Sequence, residues 1–291
     1  MIIIKEVLFL YNIFTLDKII NYSDNKMTFI YENQKFILKK NAFVNQNLFL
    51  YSYPSFFHKV IKNKYYSYYT VFNNDYYVLY QVNDFRDSLI SLDNVINMSI
   101  PFYSFDVRKE NYTNLWLKKN TYLENYLNSK FRFSGMNYDY YLAMAELSLT
   151  LSKSVNYNNL TYGYCIKKND CFSCLEELYD PSNIKNGPIV CNITEYIKYD
   201  FFNNDVILKN LDCIFELELN VDDYLFMLCR FLYPNYYFDL FSFNDNDVKI
   251  KSFNIDSKIN KYILFLKYVF DVIKKRHIID MSLMNYIINL L

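Results

Sequence analysis

The chain has 291 residues, 52% hydrophobic and 20% aromatic, which is enough apolar material for one large domain or two packed lobes. Acidic and basic residues balance at 31 each, so the field that draws a protein onto nucleic-acid backbones or anionic membranes is missing. Its three glycines, Gly135, Gly163 and Gly187, stand far apart, which excludes a Walker loop, a dinucleotide fingerprint and a kinase glycine loop, since each needs clustered glycines to bring backbone amides against phosphate.

In chain order, "MIIIKEVLFLYNIF" is broken by Lys5 and Glu6 and has no small-residue cleavage site, so it does not read as a secretory signal. No run reaches the roughly 18 apolar residues of a membrane span. A cytoplasmic location with reduced cysteines is the expectation. "IIIKEVLFLY" and "MTFIYE" read as strands, and "ENQ" turns the second into "KFILKK" (Lys35 to Lys40). Pro54 to Lys62 has helical character. Tyr65 to Val82 reads as a hairpin about Asn73, Asn74 and Asp75, rich in Tyr, Val and Thr.

Beyond Val82 the apolar period becomes 3.6. Tyr112 to Leu127 places Tyr112, Leu115, Trp116, Leu123, Tyr126 and Leu127 on one broad face. Tyr138 to Ser154 does the same through Tyr138, Leu142, Ala145 and Leu149, with Asn137 as its cap. Val221 to Leu232 is apolar nearly all round and reads as a buried helix capped by Asn220 and stopped by Pro234. Ser257 to Arg276 is amphipathic through Ile259, Tyr262, Ile263, Leu266, Phe270 and Ile273, and a short helix covers Ser282 to Leu291. The fold class expected is α+β: residues 1–82 form a β-rich N-lobe, 80–87 a connector, and 83–291 a helical C-lobe.

Chemistry-bearing residues are sparse. His58 and His277 are separated along the chain and read as structural. Cys165, Cys171, Cys174 and Cys191 cluster in one region, with a CxxC at "CFSC"; together they could close a tetrahedral zinc site, although the paired CxxC of a strong zinc motif is absent, and reduced buried thiols are the plainer reading. Lys39 ends its strand where a lysine either holds a nucleotide phosphate or marks the chain's exit from the core.

Four stretches carry a resemblance: "FLYPNYYFDLF" (Phe231 to Phe241), "ELYDPSNIKNGPIVCNITEYIK" (Glu177 to Lys198), "NLWLKKNTYLENYL" (Asn114 to Leu127) and "DYYLAMAELSL" (Asp139 to Leu149). In their order along the chain they resemble segments of the spore-coat kinase-like proteins of the CotS and YutH kind, relatives of the aminoglycoside and choline phosphotransferases. The resemblance spans most of the helical part; the front matches in outline, through "FILKK" and the tyrosine hairpin. It implies a protein-kinase-like bilobal fold, with an antiparallel-sheet N-lobe and a larger helical C-lobe.

The resemblance also implies positions for the chemistry. Phosphoryl transfer needs a phosphate lysine held by a helix Glu, a catalytic Asp, and an Asn and Asp on magnesium. Lys39 is the candidate lysine, yet Asn41 to Lys62 holds no Asp or Glu, so it should be solvated or loosely held. Against the family's "HGD" loop, "LTYGYC" puts Tyr162 for the histidine and Tyr164 for the aspartate; Gly187 falls at a metal-binding Asp, and Asn192 at the Asp of "RD". The implied function is a catalytically inactive kinase-like protein, without cofactor, that works by binding protein partners, spore-coat components among them, and neither nucleic acid nor membrane. The alternative is an active small-molecule or sugar phosphotransferase using ATP and magnesium, with Asp170, Asp180 and Asn183 as displaced candidates.

Overall fold

The computed structural model describes residues 2–42, 44, 54–83, 89–99, 101, 111–130, 138–167, 169–204, 212–242 and 245–276. By its internal contacts the chain forms two compact units, Met1–Ser91 with Ile166–Lys185, and Leu92–Cys165 with Asn186–Leu291. The sequence marks one boundary, after residue 82; the contact units divide instead after Ser91, and the segment Ile166–Lys185 returns to the first unit.

The first unit is built on an antiparallel sheet of β1 (Lys18–Tyr22), β2 (Lys26–Tyr31), β3 (Gln34–Lys40), β4 (Lys59–Ile61), β5 (Thr70–Phe72) and β6 (Asp75–Gln81). Their order is β1-β2-β3-β6-β4, and β5 pairs with β6 beside β4. Two-residue turns join β2 to β3 and β5 to β6, with Glu32 and Asn33, then Asn73 and Asn74, all at positive φ. That is the backbone a twisted hairpin requires, and Asn tolerates it. The tyrosine hairpin therefore exists, but its first arm shortens to β5. Pro54 to Lys62 is a turn followed by β4, not a helix; Val60 and Ile61 pair with Tyr80 and Leu79, and the ladder outweighs a weak helical pattern. β1 is an edge strand, exposed along its whole length, with a bulge between Ile19 and Asn21.

The sequence "IIIKEVLF" forms a helix, α1 (Ile2–Phe9), where a strand was expected. Its β-branched residues favour a strand, but Val7, Leu8 and Tyr11 are buried at helical spacing while Lys5 and Glu6 face solvent. This stripe covers one sheet face, formed by Met27, Phe29, Phe36, Leu38, Tyr77 and Leu79. The opposite face presents Lys26, Lys35 and Lys39 beside the buried Thr28, Ile37, Val78 and Tyr80.

The second unit holds α2 (Leu92–Met98), α3 (Tyr112–Lys130), α4 (Tyr138–Ser152), then β7 (Tyr162–Ile166), which pairs with β8 (Ile184–Pro188). In sequence between these strands, and belonging to the first unit, is α5 (Leu175–Leu178); after them the second unit continues with α6 (Val190–Asn204), α7 (Asp212–Phe215), α8 (Val221–Leu232), α9 (Asn235–Phe238) and α10 (Asp245–Lys275). The helix α8 packs against α4, α6 and α10. Its near-uniform apolarity follows, since residues from Tyr224 to Cys229 are all buried. On α3, Tyr112, Trp116 and Leu123 are buried but Leu115 is exposed; Trp116 stacks on Tyr233 at 4.6 Å. On α10 the predicted apolar face is buried through Ile259, Tyr262, Leu266, Phe270 and Ile273. Asn137, His277 and Ser282 to Leu291 lie outside the described residues.

Asn220 caps α8 as its sequence predicts. Its side chain accepts from Asp223 N at 3.1 Å, and the Asp223 carboxylate accepts from Asn220 N at 3.1 Å and from Thr161 N and Oγ1 at 2.8 and 2.6 Å. Asn220→Ala is expected to cost about 1 kcal/mol. Asp223→Ala should cost more, because it also removes the acceptor of two part-buried Thr161 donors. Urea denaturation of both variants checks the order; equal losses would contradict it.

Candidate functional site

Lys39 and Lys26 are direct cross-strand partners, and Lys35 projects from the same face of β3 two positions before Ile37. Like charges set opposite each other destabilise a sheet. Three carboxylates of the returning segment offset them. Lys39 Nζ lies 2.6 Å from Asp180 Oδ2 and 3.5 Å from Glu177 Oε2. The Asp180 approach is not aligned as a hydrogen bond, so the contact is an ion pair by proximity. Lys26 Nζ donates to Glu177 Oε1 at 2.6 Å and Glu176 Oε1 at 3.0 Å, and Lys35 donates to Glu176 Oε2.

The acids are held by their own backbone. α5 carries Glu176 and Glu177, and Asp180 caps the turn Pro181–Asn183, accepting from Ser182 N at 2.8 Å and Ser182 Oγ at 2.6 Å. Asn183 Nδ2 donates to the Glu177 carbonyl at 2.9 Å and to Glu177 Oε2 at 3.0 Å. His58, fully buried, donates Nε2–H to the Glu176 carbonyl at 2.9 Å, and its backbone N–H reaches Tyr179 O at 3.0 Å. Burial depresses its pKa, so the ring is neutral; it ties β4's approach to the acidic segment. The sequence reading of His58 as structural agrees with these bonds.

Lys39 is thus neither solvated nor loosely held, contrary to expectation. Its side chain is only 14% exposed and that of Asp180 1%. The stretch that follows β3 holds no acid; the partners of Lys39 come from about 140 residues later in the sequence, which no local pattern reports. Of the displaced candidates, Asp180 and Asn183 lie in this cluster; the side chain of Asp170 is outside the described ones. Burial raises the Glu177 pKa, but the Lys39 charge and the Lys26 hydrogen bond outweigh it, and the group is held at about 2.

In the second unit, Tyr162 and Tyr164 are buried, and burial pushes the Tyr164 phenol above its ordinary range. Asn192 donates to the Tyr164 carbonyl at 2.7 Å and to Ser99 Oγ at 2.8 Å, a fully buried bracing role. A Cβ on Gly187 would lie 3.1 Å from Cys165 Sγ and 3.3 Å from Cys165 Cβ. The thiol of Cys165 donates to Pro188 O at 3.0 Å. A cluster missed by sequence reasoning lies on α6: Glu195 accepts from Arg230 at 2.7 Å and Asn235 at 2.6 Å and lies 3.2 Å from Lys198. Burial opposes its charge, yet the Lys198 and Arg230 cations hold Glu195 at about 2, while burial lowers Lys198 to about 8. Every member is bonded within the helices, as a structural network requires.

Of the zinc candidates, Cys171 is buried and Cys174 exposed in the first unit, and Cys165 and Cys191 are buried in the second. Among the described residues, no group of three or more His, Cys, Asp or Glu side chains is placed to hold a metal ion. Among them, too, no helix is long and apolar enough to cross a membrane.

The aminoglycoside phosphotransferase of Alicyclobacillus acidocaldarius subsp. acidocaldarius matches this structure with a TM-score of 0.66, over 89% of this chain and 93% of that one, at 9% sequence identity. The chain has a protein-kinase-like α+β fold. An AMP-bound spectinomycin phosphotransferase matches with a TM-score of 0.49 and 12% identity over 92% of this chain and 94% of that one, a likeness too low to argue from. No family model matches the sequence, and no curated protein sequence does.

Two outcomes follow for the ion cluster. Lys39→Met strands Asp180 as a buried unpaired charge and should cost about 3 kcal/mol, most of it recovered by adding Asp180→Asn; urea unfolding of the single and double variants checks this. The Glu177 pKa falls from 4.5 to about 2 on folding, so its contribution is complete above pH 4.5 and is lost as pH drops towards 2. Glu177→Gln should flatten the fall of the urea midpoint across that window, and an unchanged slope would refute the assignment.

Proposed function

We propose that this chain is a catalytically inactive kinase-like protein that acts through interaction with protein partners. The observation that carries the reading is the loss of acids where magnesium and the acceptor hydroxyl would be handled: the resemblance puts Tyr164, Gly187 and Asn192 there. Lys39 does not separate the readings, because an ion pair with a helix Glu, here Glu177 of α5 at 3.5 Å, is itself a part of phosphoryl transfer. Asp180 lies 2.6 Å from the same ammonium.

The positions that the resemblance assigns to acids support the same reading. Tyr164 is a buried neutral phenol, and Asn192 is committed to backbone bracing. A side chain at Gly187 would crowd Cys165, with its Cβ 3.1 Å from the sulfur, and the Cys165 side chain would have to give by a few tenths of an ångström. With those acids gone, magnesium lacks its holders and the acceptor hydroxyl lacks its base. The spore coat is the setting that the family resemblance suggests for the partners. The rival reading, an active phosphotransferase on ATP and magnesium, draws on the convergence of Glu177, Asp180 and Asn183; it requires the lysines to release two of those groups.

Purified full-length protein, assayed with magnesium and ATP for ADP formation and for transfer to aminoglycosides, sugars and protein, decides between them. The expected result is no turnover above the protein-free blank, and the same in Lys39→Arg, which keeps the charge beside Asp180. Transfer that Lys39→Arg abolishes would replace this proposal with the rival.

A further inference from the structure

The first unit bears a second feature that its ion cluster does not use. Asn63 is buried and works as the hub of the loop between β4 and β5. Its Oδ1 accepts from Tyr65 N at 2.9 Å and Ser67 N at 3.0 Å, and its Nδ2 donates to Tyr69 O at 2.9 Å and Thr70 Oγ1 at 3.1 Å. Lys64 N donates to Leu10 O at 2.8 Å, which fastens the loop to the end of α1. The loop is rigidly held, yet what it displays is apolar and outward. Tyr65 is 70% and Tyr66 82% exposed, and Tyr66 sits at φ 61. A left-handed backbone is strained for a bulky residue, and such strain persists where the surrounding bonds enforce it.

Two lysines complete the patch. Lys64 Nζ lies 4.7 Å from the Phe9 ring centre and 5.2 Å from that of Tyr65, and Lys62 Nζ lies 4.8 Å from the Tyr68 ring centre. Phe14, 70% exposed, packs edge-on against the half-exposed Phe9. Among the described residues neither Lys62 nor Lys64 forms an ion pair, whereas Lys26, Lys35, Lys39 and Lys40 all do. Lys18 and Lys59 also lack an ion pair among the described residues, but of these lysines only Lys62 and Lys64 hold their charge over aromatic rings, where an acidic group could meet cation and ring together.

We propose that Phe9, Phe14, Lys62, Lys64, Tyr65 and Tyr66 form a docking site for an acidic segment of another protein that carries an apolar anchor. Carboxylates of the segment pair with the two lysines, and its aliphatic or aromatic side chain lies on the exposed rings. Rigid aromatics with few rotors lose little entropy on binding and dominate such contacts. Single-stranded nucleic acid also uses rings and lysines, but it needs a basic track along a backbone. Two lysines over rings, on a neutral chain, do not make one. The site rests on the interaction reading above and gives it a surface. Its test reads peptide binding and not turnover, so ATP chemistry could overturn the former and leave this site standing.

The probe is a random peptide library on phage, panned over the full-length chain and over Lys62→Glu/Lys64→Glu. The expected enrichment is of acidic peptides with a Leu, Ile, Phe or Trp, lost on the charge-reversed variant. The best peptide should bind about tenfold or more weakly to that variant in fluorescence anisotropy and weaken as salt rises. Tyr66→Gly separates display from folding: glycine accepts the left-handed φ, so the melting temperature should hold or rise while affinity falls. No enrichment, enrichment of basic peptides, affinity unchanged in both variants, or tighter binding of oligo-dT than of the peptide would each overturn the proposal.

Discussion

Lys26 and Lys39 face each other across β2 and β3, and this repulsive pair sets a condition that the first unit must meet. Water would solvate two ammonium groups at little cost, but here Lys39 is mostly buried and borders Ile37, Val78 and Tyr80 on the same sheet face. The sheet is tolerable only with Glu177 and Asp180 in place, and these come from a segment that the chain delivers through β7 and removes through β8. Each desolvated ion is repaid only by a well-placed counter-ion. The Asp180 turn, the Asn183 amide and the His58 ring all fix where the carboxylates stand. The network therefore has the character of a fastening more than of a reaction centre.

The helical unit solves a related problem with less exposed charge. α8 is buried almost throughout, so its amino end needs internal partners. Asp223 provides them reciprocally with Asn220 and reaches on to Thr161, at the entrance of β7. The Glu195, Lys198 and Arg230 group ties α6 to α8, with Asn235 completing the carboxylate's bonds. Both units thus retain acidic residues in quantity, spent on caps and on pairing cations.

Much of this was legible in the sequence where local chemistry decides it. Asn73 and Asn74 announce their turn, Asn220 announces α8, and the 3.6-residue stripe of Ile259, Tyr262, Leu266 and Ile273 announces α10. The misreadings share a cause: a short run whose intrinsic preference was weaker than its packing. α1 reads as a strand because of its isoleucines, and becomes a helix because Val7, Leu8 and Tyr11 must lie together on the sheet. Pro54 to Lys62 reads as helical but yields to pairing with β6. Glu177 and Asp180 stand in a plain acidic run, "EELYD"; nothing local marks them as counter-ions for lysines at positions 26 and 39. Long-range charge compensation leaves no period to detect.

The outermost strand, β1, carries a consequence of its own. Among the described residues it has a neighbour on one side only, no residue of it is buried, and its ladder with β2 is interrupted at Ile20. A ribbon so thinly attached opens locally long before the whole molecule does, uncovering the flank of β2. Its amides should trade hydrogen with solvent early, and a crowded preparation would meet this rim first, with the kink at Ile20 and the charge of Lys18 hindering a flush seam between neighbouring molecules.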